Sequence, residues 1–384
     1  VIDRSGTSAE KVEGLKHIWG RTDLIPLWVA DMDFATAPFV TDAIRKRCEN
    51  EVLGYTGKPD SYYNAIINWV KQRYDLIVTK EVINFVPGIV PGIGMAMNCF
   101  TQKGDKVMIQ PPVYHPFAWV TTRNERTLVI NPLKWENGMY RMDLDAFREQ
   151  IKGCKLFILC NPHNPGGVVW TEAELRAIAD ICYDEKVLVF SDEIHADLTL
   201  PPHTHRPFAT VSEKARMNSV TFMSPSKAFN MPGLSASHAL IFNEDLRKRF
   251  RIYMDAGELD MGHVFAFLSV EAAYSHGTEW LDQCLAYIQG NIDFVDEFLK
   301  KHAPKIKAIR PEASYLVWLD CRELELSQKD LNEFFVDKAH LALNDGEMFG
   351  KEGIGFMRLN VASPRCIIEK AMKQLADAYQ LYIK

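Results

Sequence analysis

Along the middle of the chain, short apolar runs alternate with longer stretches in which apolar positions recur every three or four residues. Residues 106–110 (KVMIQ), 155–160 (KLFILC), 187–191 (VLVFS), 219–223 (SVTFM) and 238–243 (HALIFN) each read as a buried strand of a mainly parallel sheet. Between them lie helical periods. The clearest spans 171–185, where Thr171 and Glu174 form a capping box and Leu175, Ile178 and Cys182 share one face. This strand–helix alternation predicts an α/β fold with helices on both faces of the sheet.

The flanks have a different rhythm. The stretch up to about residue 40 is rich in Asp, Trp and Pro and reads as irregular. From about residue 275 the pattern predicts a long helix (280–301), strands at 314–319 and 355–361, a helix at 328–339 between them, and a last helix after Pro364. We therefore expect a large α/β domain over 41–275 and a smaller, docked α+β domain built from both termini, 1–40 plus 276–384. Residues 87–94 form a turn of Gly and Pro before a helical 95–100.

Composition narrows the function classes. Hydrophobic residues are 47% and charged residues 24% of the chain, ordinary for a globular protein and incompatible with a disordered or fibrous one. The formal net charge of -6 leaves no cationic footprint for nucleic acid or an anionic membrane. The longest uncharged stretch, 82–102, is broken by Pro87, Gly88, Pro91, Gly92 and Gly94, so it is not a membrane helix. No leader segment is read at the start. The eight cysteines form no C-x-x-C pair, which places the protein in a reducing, cytoplasmic setting.

Four segments carry candidate chemistry, each directly after or before a strand. Residues 161–167 (NPHNPGG) put the Asn164 amide at the carboxyl edge of the sheet, where α/β proteins bind ligands. Residues 191–195 (SDEIH) put Asp192 past the next strand; a carboxylate there needs a partner or solvent, and a helix cap is the plainer role. Residues 224–233 (SPSKAFNMPG) hold Lys227 in a run, 221–243, with no other Lys, Arg, Asp or Glu. Burial lowers a lysine's pKa toward the neutral amine that attacks carbonyls. Residues 87–94 (PGIVPGIG) leave backbone amides free at a helix start, a seat for an anion. Each segment alone serves equally as a turn. Together they supply an anion seat, an amide donor, a carboxylate and an amine, which is what a pyridoxal phosphate site requires.

On these residues the chain resembles the fold-type I pyridoxal phosphate enzymes of the aminotransferase class I/II family. Within that family it is similar to the cystathionine β-lyase (C–S lyase) branch of MalY/PatB type. The branch resemblance rests on residues 27–34 (LWVADMDF), 54–56 (GYT), 112–117 (PVYHPF), 191–197 (SDEIHAD) and 227–234 (KAFNMPGL). It implies a seven-stranded-type sheet between helices, pyridoxal 5'-phosphate as cofactor, and a homodimer with shared sites acting on a small amino acid. Lys227 would carry the cofactor as a Schiff base, Asp192 would pair with the ring nitrogen, and Asn164 would bond the ring hydroxyl. Tyr114 would stack on the ring and assist catalysis. Gly88, Ile89 and Val90, with Ser224 and Ser226, would hold the phosphate. His195 stands near the ring where many aminotransferases have a tyrosine, and Ser235 where they have a phosphate-binding arginine. Tyr55 would reach the neighbouring subunit's site, and Arg358 would grip the substrate carboxylate, with Ala30 and Asp31 beside it. The implied reaction is α,β-elimination of L-cystathionine or a cysteine S-conjugate to a thiol, pyruvate and ammonia. Three alternatives stand beside it: an aminotransferase on the same fold, a regulatory or binding protein that keeps the fold, and a metal hydrolase using His163, Asp192, His195 and His203. Residues 203–205 (HTH), flanked by prolines, are expected to be an exposed loop rather than a metal site.

Overall fold

A computed structural model describes residues 1–382. Seven strands make the large sheet: β1 (Ile83–Val86), β2 (Lys106–Ile109), β3 (Thr127–Ile130), β4 (Cys154–Cys160), β5 (Leu188–Asp192), β6 (Ser219–Met223) and β7 (Ser237–Leu240). Their spatial order is β1-β7-β6-β5-β4-β2-β3. Strands β2 to β6 pair in parallel. The expected strand at 238–243 is β7, which runs antiparallel to both β1 and β6 and ends earlier, at Leu240.

The period-2 alternation of β4 explains why the sheet is covered on both sides. Leu156 and Ile158 join one apolar cluster with Ile93, Ala96 and Met97 of the helix Ile89–Phe100. Phe157 and Leu159 face the other way, against Leu175, Ile178 and Cys182 of the helix Glu172–Asp184. Fully burying each such side chain contributes about 1.5–3 kcal/mol. The Thr171–Glu174 capping box starts the second helix as expected.

The first helix begins at Ile89, six residues before the expected start. Pro91 is tolerated in the first turn because an N–H at that position would have no intrahelical acceptor, so its absence costs no bond. Gly88 caps it at φ 139°, a conformation closed to side-chain-bearing residues. A Cβ on Gly92 would lie 2.9 Å from Val86 Cγ2 and 3.1 Å from Phe222 Cε1, so glycine there lets the helix start sit down on the sheet.

The second sheet is antiparallel and contains β8 (Lys307–Ile309), β9 (Leu316–Asp320), β10 (Asn344–Asp345) and β11 (Phe356–Asn360), in the order β8-β9-β11-β10. The helices Thr278–His302 and Arg365–Tyr382 share its apolar cluster. The N-terminal stretch is not wholly irregular: Glu10–Trp19 is a helix. Its buried side is Lys11, Gly14 and Leu15, so a lysine and a glycine stand where the apolar period was sought. Residues 27–33 then form a strap between the sheets, held by Asn360 N–H to Leu27 O and Asp33 N–H to Ala362 O, each 2.9 Å. Among the described residues no helix is long and apolar enough to cross a membrane.

Candidate active site

The carboxyl ends of β4, β5 and β6 open onto a cavity of about 210 Å³. Asn164, Asp192, Ser226 and Lys227 line it from these strand ends. Gly88, Ile89 and Val90 close one side, and Tyr114, His195 and Ala30 others. The first intrahelical bond beside it is Gly92 N–H to Gly88 O at 2.9 Å. Ile89 and Val90 N–H therefore precede the helical ladder and present the positive end of the helix dipole to the cavity.

Asp192 is 3% exposed, and its side chain accepts one backbone bond, from Ile194 N–H at 3.1 Å. Burial pushes its pKa up to about 7; the neighbouring Glu193 charge raises it further, while the Ile194 bond and Lys227 pull the other way. Burial, then the Arg358 charge, push the Lys227 pKa down to about 8. Its Nζ donates to Ala30 O at 2.7 Å. His195 is buried and pushed down to about 3, so its imidazole is neutral, and its Nδ1 has no hydrogen-bond partner. Burial raises the Tyr114 phenol. A carboxylic acid and an amine are thus each moved toward neutrality and face one space.

Arg358, in β11, does not line this cavity but touches it through Asn164. Its Nη1 donates to Asn164 Oδ1 at 3.0 Å, and its Nη2 to Trp28 O at 3.1 Å and Asn344 Oδ1 at 2.5 Å. The guanidinium lies over the Phe349 ring, 4.8 Å from its centroid. It is 4% exposed, its Nε is buried without a partner, and burial pushes its pKa down to about 10. No carboxylate is among these partners. A buried cation held only by neutral acceptors is a receptor for an anion.

Not every expected residue reaches the cavity. Tyr55 is 98% exposed on an extended segment. Asp31 does not line the cavity: its carboxylate accepts from Arg4 Nη2 at 2.7 Å and lies 3.5 Å from the buried Lys11 Nζ, leaving Ala30 as the residue of the strap that lines it. The Ser224 hydroxyl donates to Ala236 O at 2.7 Å and lies 2.9 Å from the Ser226 hydroxyl, so it shapes the turn beneath Ser226 instead of facing the cavity. Among the described residues no three or more His, Cys, Asp or Glu side chains gather as a metal site would need, His163, Asp192, His195 and His203 included. His205 pairs with Glu193 at 2.8 Å and is buried, not exposed as expected of its loop, because Glu193 sits in the core and needs a partner.

Sequence reading also passed over several residues. Cys160, Ala236 and Ser237 line the cavity beside Ser235, the expected counterpart of an arginine, which sits in the left-handed region at φ 47°. Asn230 fixes the strap next to Lys227: its Oδ1 accepts from Met32 N–H at 2.9 Å and its Nδ2 donates to Met32 O at 3.0 Å and Phe34 O at 2.8 Å. Asn360 Nδ2 donates to Val29 O at 2.7 Å and Asp31 O at 2.6 Å, and Tyr315 to Ala30 O at 2.9 Å. The sequence signalled this strap through the motif at 27–34 and the asparagine within 227–234.

Known proteins share this arrangement of elements. The chain is 37% identical over 378 residues to the cystathionine beta-lyase PatB of Bacillus subtilis (strain 168), covering 98% of each. It is 30% identical to protein MalY of Escherichia coli (strain K12), covering 98% of this chain and 97% of that one. The crystal structure of cystalysin from Treponema denticola, which contains a pyridoxal 5'-phosphate cofactor, superposes with a TM-score of 0.96 at 33% identity, covering 100% of this chain and 98% of that one. The model of the family described as aminotransferase class I and II matches residues 22–375, and the chain belongs to that family.

Proposed function

We propose that the protein is a pyridoxal phosphate-dependent carbon–sulfur β-lyase, releasing a thiol, pyruvate and ammonia from L-cystathionine or a cysteine S-conjugate. The observation that carries this is the juxtaposition of Lys227 and Asp192 in one cavity, with an uncompensated arginine bonded to Asn164 at its edge. The relatives named for cystathionine β-lyase activity support the same reading.

The residues present fit the cofactor. The amine of Lys227 would hold it, and the free amides of Ile89 and Val90 with the Ser226 hydroxyl would take its phosphate. Lys227 is the one lysine or arginine among the described residues lining the cavity, so the helix dipole and hydroxyls would carry the phosphate charge. When bound, pyridoxal phosphate supplies an electron sink for the pair released at the substrate α-carbon. Asp192, buried and with its pKa raised to about 7, would hold a proton on the ring nitrogen. Asn164 commits its Oδ1 to Arg358, which leaves its Nδ2 to donate to the ring hydroxyl. Tyr114, which lines the cavity, would cover the ring face. Arg358 binds and orients the substrate α-carboxylate. Lys227 Nζ, held near neutrality, removes the α-proton, and the β-carbon–sulfur bond breaks with the electron pair leaving on sulfur. The three-carbon remainder hydrolyses to pyruvate and ammonia.

We also propose a homodimer. Val52, Leu53 and Tyr55 form an exposed apolar segment that a second copy would cover, bringing Tyr55 to the partner's phosphate. We propose, too, a large domain over 41–275 and a small one from 1–40 plus 276–384; the two larger sheets, one in each stretch, support this division. All eight cysteines are free, which fits the cytoplasm. The test is a panel of β-substituted amino acids assayed without any keto acid. Release of pyruvate and thiol in equal amounts is expected; activity only when a keto acid is added makes the enzyme an aminotransferase instead.

A further inference from the structure

We infer that Asn344 is a specificity-determining residue that orients Arg358 without neutralising it, so that only an α-carboxylate anion completes the site. This rests on reading Arg358 as the carboxylate receptor. Asn344 sits directly opposite Arg358 in the β10–β11 ladder. Its Oδ1 accepts from Arg358 Nη2 at 2.5 Å, and its Nδ2 is turned to Met348 Sδ at 3.3 Å, which fixes which end of the amide faces the guanidinium. The next residue is an acid, and the fold turns it away: Asp345 accepts from Gln328 Nε2 at 2.6 Å and Asn332 Nδ2 at 2.5 Å. The strand thus places an amide toward the cation and a carboxylate away from it. An isosteric carboxylate at 344 would pair with the buried guanidinium and take the place of the substrate's charge. A neutral acceptor fixes the fork's direction and leaves the full positive charge for the ligand.

The test uses the holoenzyme and the variants Asn344→Asp and Asn344→Ala. Three readouts are taken: KM and kcat for a cysteine S-conjugate and for its methyl ester, equilibrium binding of L-alanine, and thermal stability. For Asn344→Asp we expect the acid's KM to rise about 10–100-fold, the range of one charge-assisted bond. Its kcat should stay within about threefold, the preference for acid over ester should shrink by the same factor, and the melting temperature should rise. These opposite movements are what a merely structural asparagine would not give. Asn344→Ala removes the orientation but adds no charge, so KM should rise several-fold with the acid–ester preference kept. The inference is overturned if Asn344→Asp binds L-alanine as the wild type does, or if acid and ester are weakened equally. If the wild type binds L-alanine but releases no pyruvate, the lyase reading fails and the binding comparison still decides the role of Asn344.

Discussion

Replacing Asp192 by asparagine should make the cofactor-free protein more stable while removing its activity. The carboxylate is 3% exposed and receives one hydrogen bond, so its charge is poorly compensated until a cationic ring nitrogen is beside it. Its pKa moves from 3.8 to about 7, chiefly by burial. Because the folded-state value lies above the unfolded one, the protonated form is favoured by folding. The penalty is absent well below pH 3.8, grows as pH rises through this window, and is complete above pH 7. Fully ionised, it amounts to about 4 kcal/mol, and less than half of that at pH 5. Asparagine keeps the shape and the acceptor for Ile194 N–H but carries no charge. Urea denaturation of cofactor-free wild type and Asp192→Asn should therefore give a stability gain for the variant that is about 2–3 kcal/mol larger at pH 8.5 than at pH 5. The reconstituted variant should lose about 10²–10⁴-fold in kcat, the scale of a misplaced proton in catalysis. A variant no more stable than wild type at pH 8.5, or equally stabilised at both pH values, would refute the reasoning.

Other outcomes follow from the same geometry. Capture of pyridoxal phosphate by the cofactor-free protein needs the neutral Lys227 amine, so its rate should rise with pH to a midpoint near 8; stopped-flow absorbance reads this, and a rate already flat from pH 6.5 contradicts it. Gly92→Ala places a Cβ 2.9 Å from Val86 Cγ2, which should cost about 1–3 kcal/mol of stability and, by lifting the helix start, weaken pyridoxal phosphate binding measured by equilibrium dialysis. Mixing inactive Lys227→Ala with inactive Tyr55→Ala chains should restore activity, because one of the two sites in the hybrid then holds both native residues; no recovery in a hybrid verified by native mass spectrometry counts against shared sites.

How much of this was legible in the sequence depends on how local each signal is. The strands around 155–160, 187–191 and 219–223 were visible because both faces are buried and the apolar runs are continuous. Asn164, Asp192 and Lys227 were visible because each follows such a strand within a turn. The helix Glu10–Trp19 was hidden because its inward face carries Lys11, whose ammonium pairs with Asp33 at 2.9 Å in the folded chain alone. The start of the helix at Ile89 was hidden by Pro91 and Gly92, residues that read as breakers until packing on β1 is known. The strap's anchors, Asn230, Tyr315 and Asn360, act across 198 to 329 positions, and Asn344 and Phe349 meet Arg358 only because the chain folds back on β11, so no motif spacing announces them. Asp31 and Ser224 do not line the cavity for a related reason. A motif names a residue, but the turn around it decides which way its side chain points.

The most direct measurement is borohydride reduction of the protein loaded with pyridoxal phosphate, followed by peptide mapping by mass spectrometry. The account predicts one stoichiometric phosphopyridoxyl adduct, on the peptide containing Lys227, and its loss in Lys227→Ala. An adduct on another lysine, or none in a protein that still releases pyruvate from L-cystathionine, would contradict it.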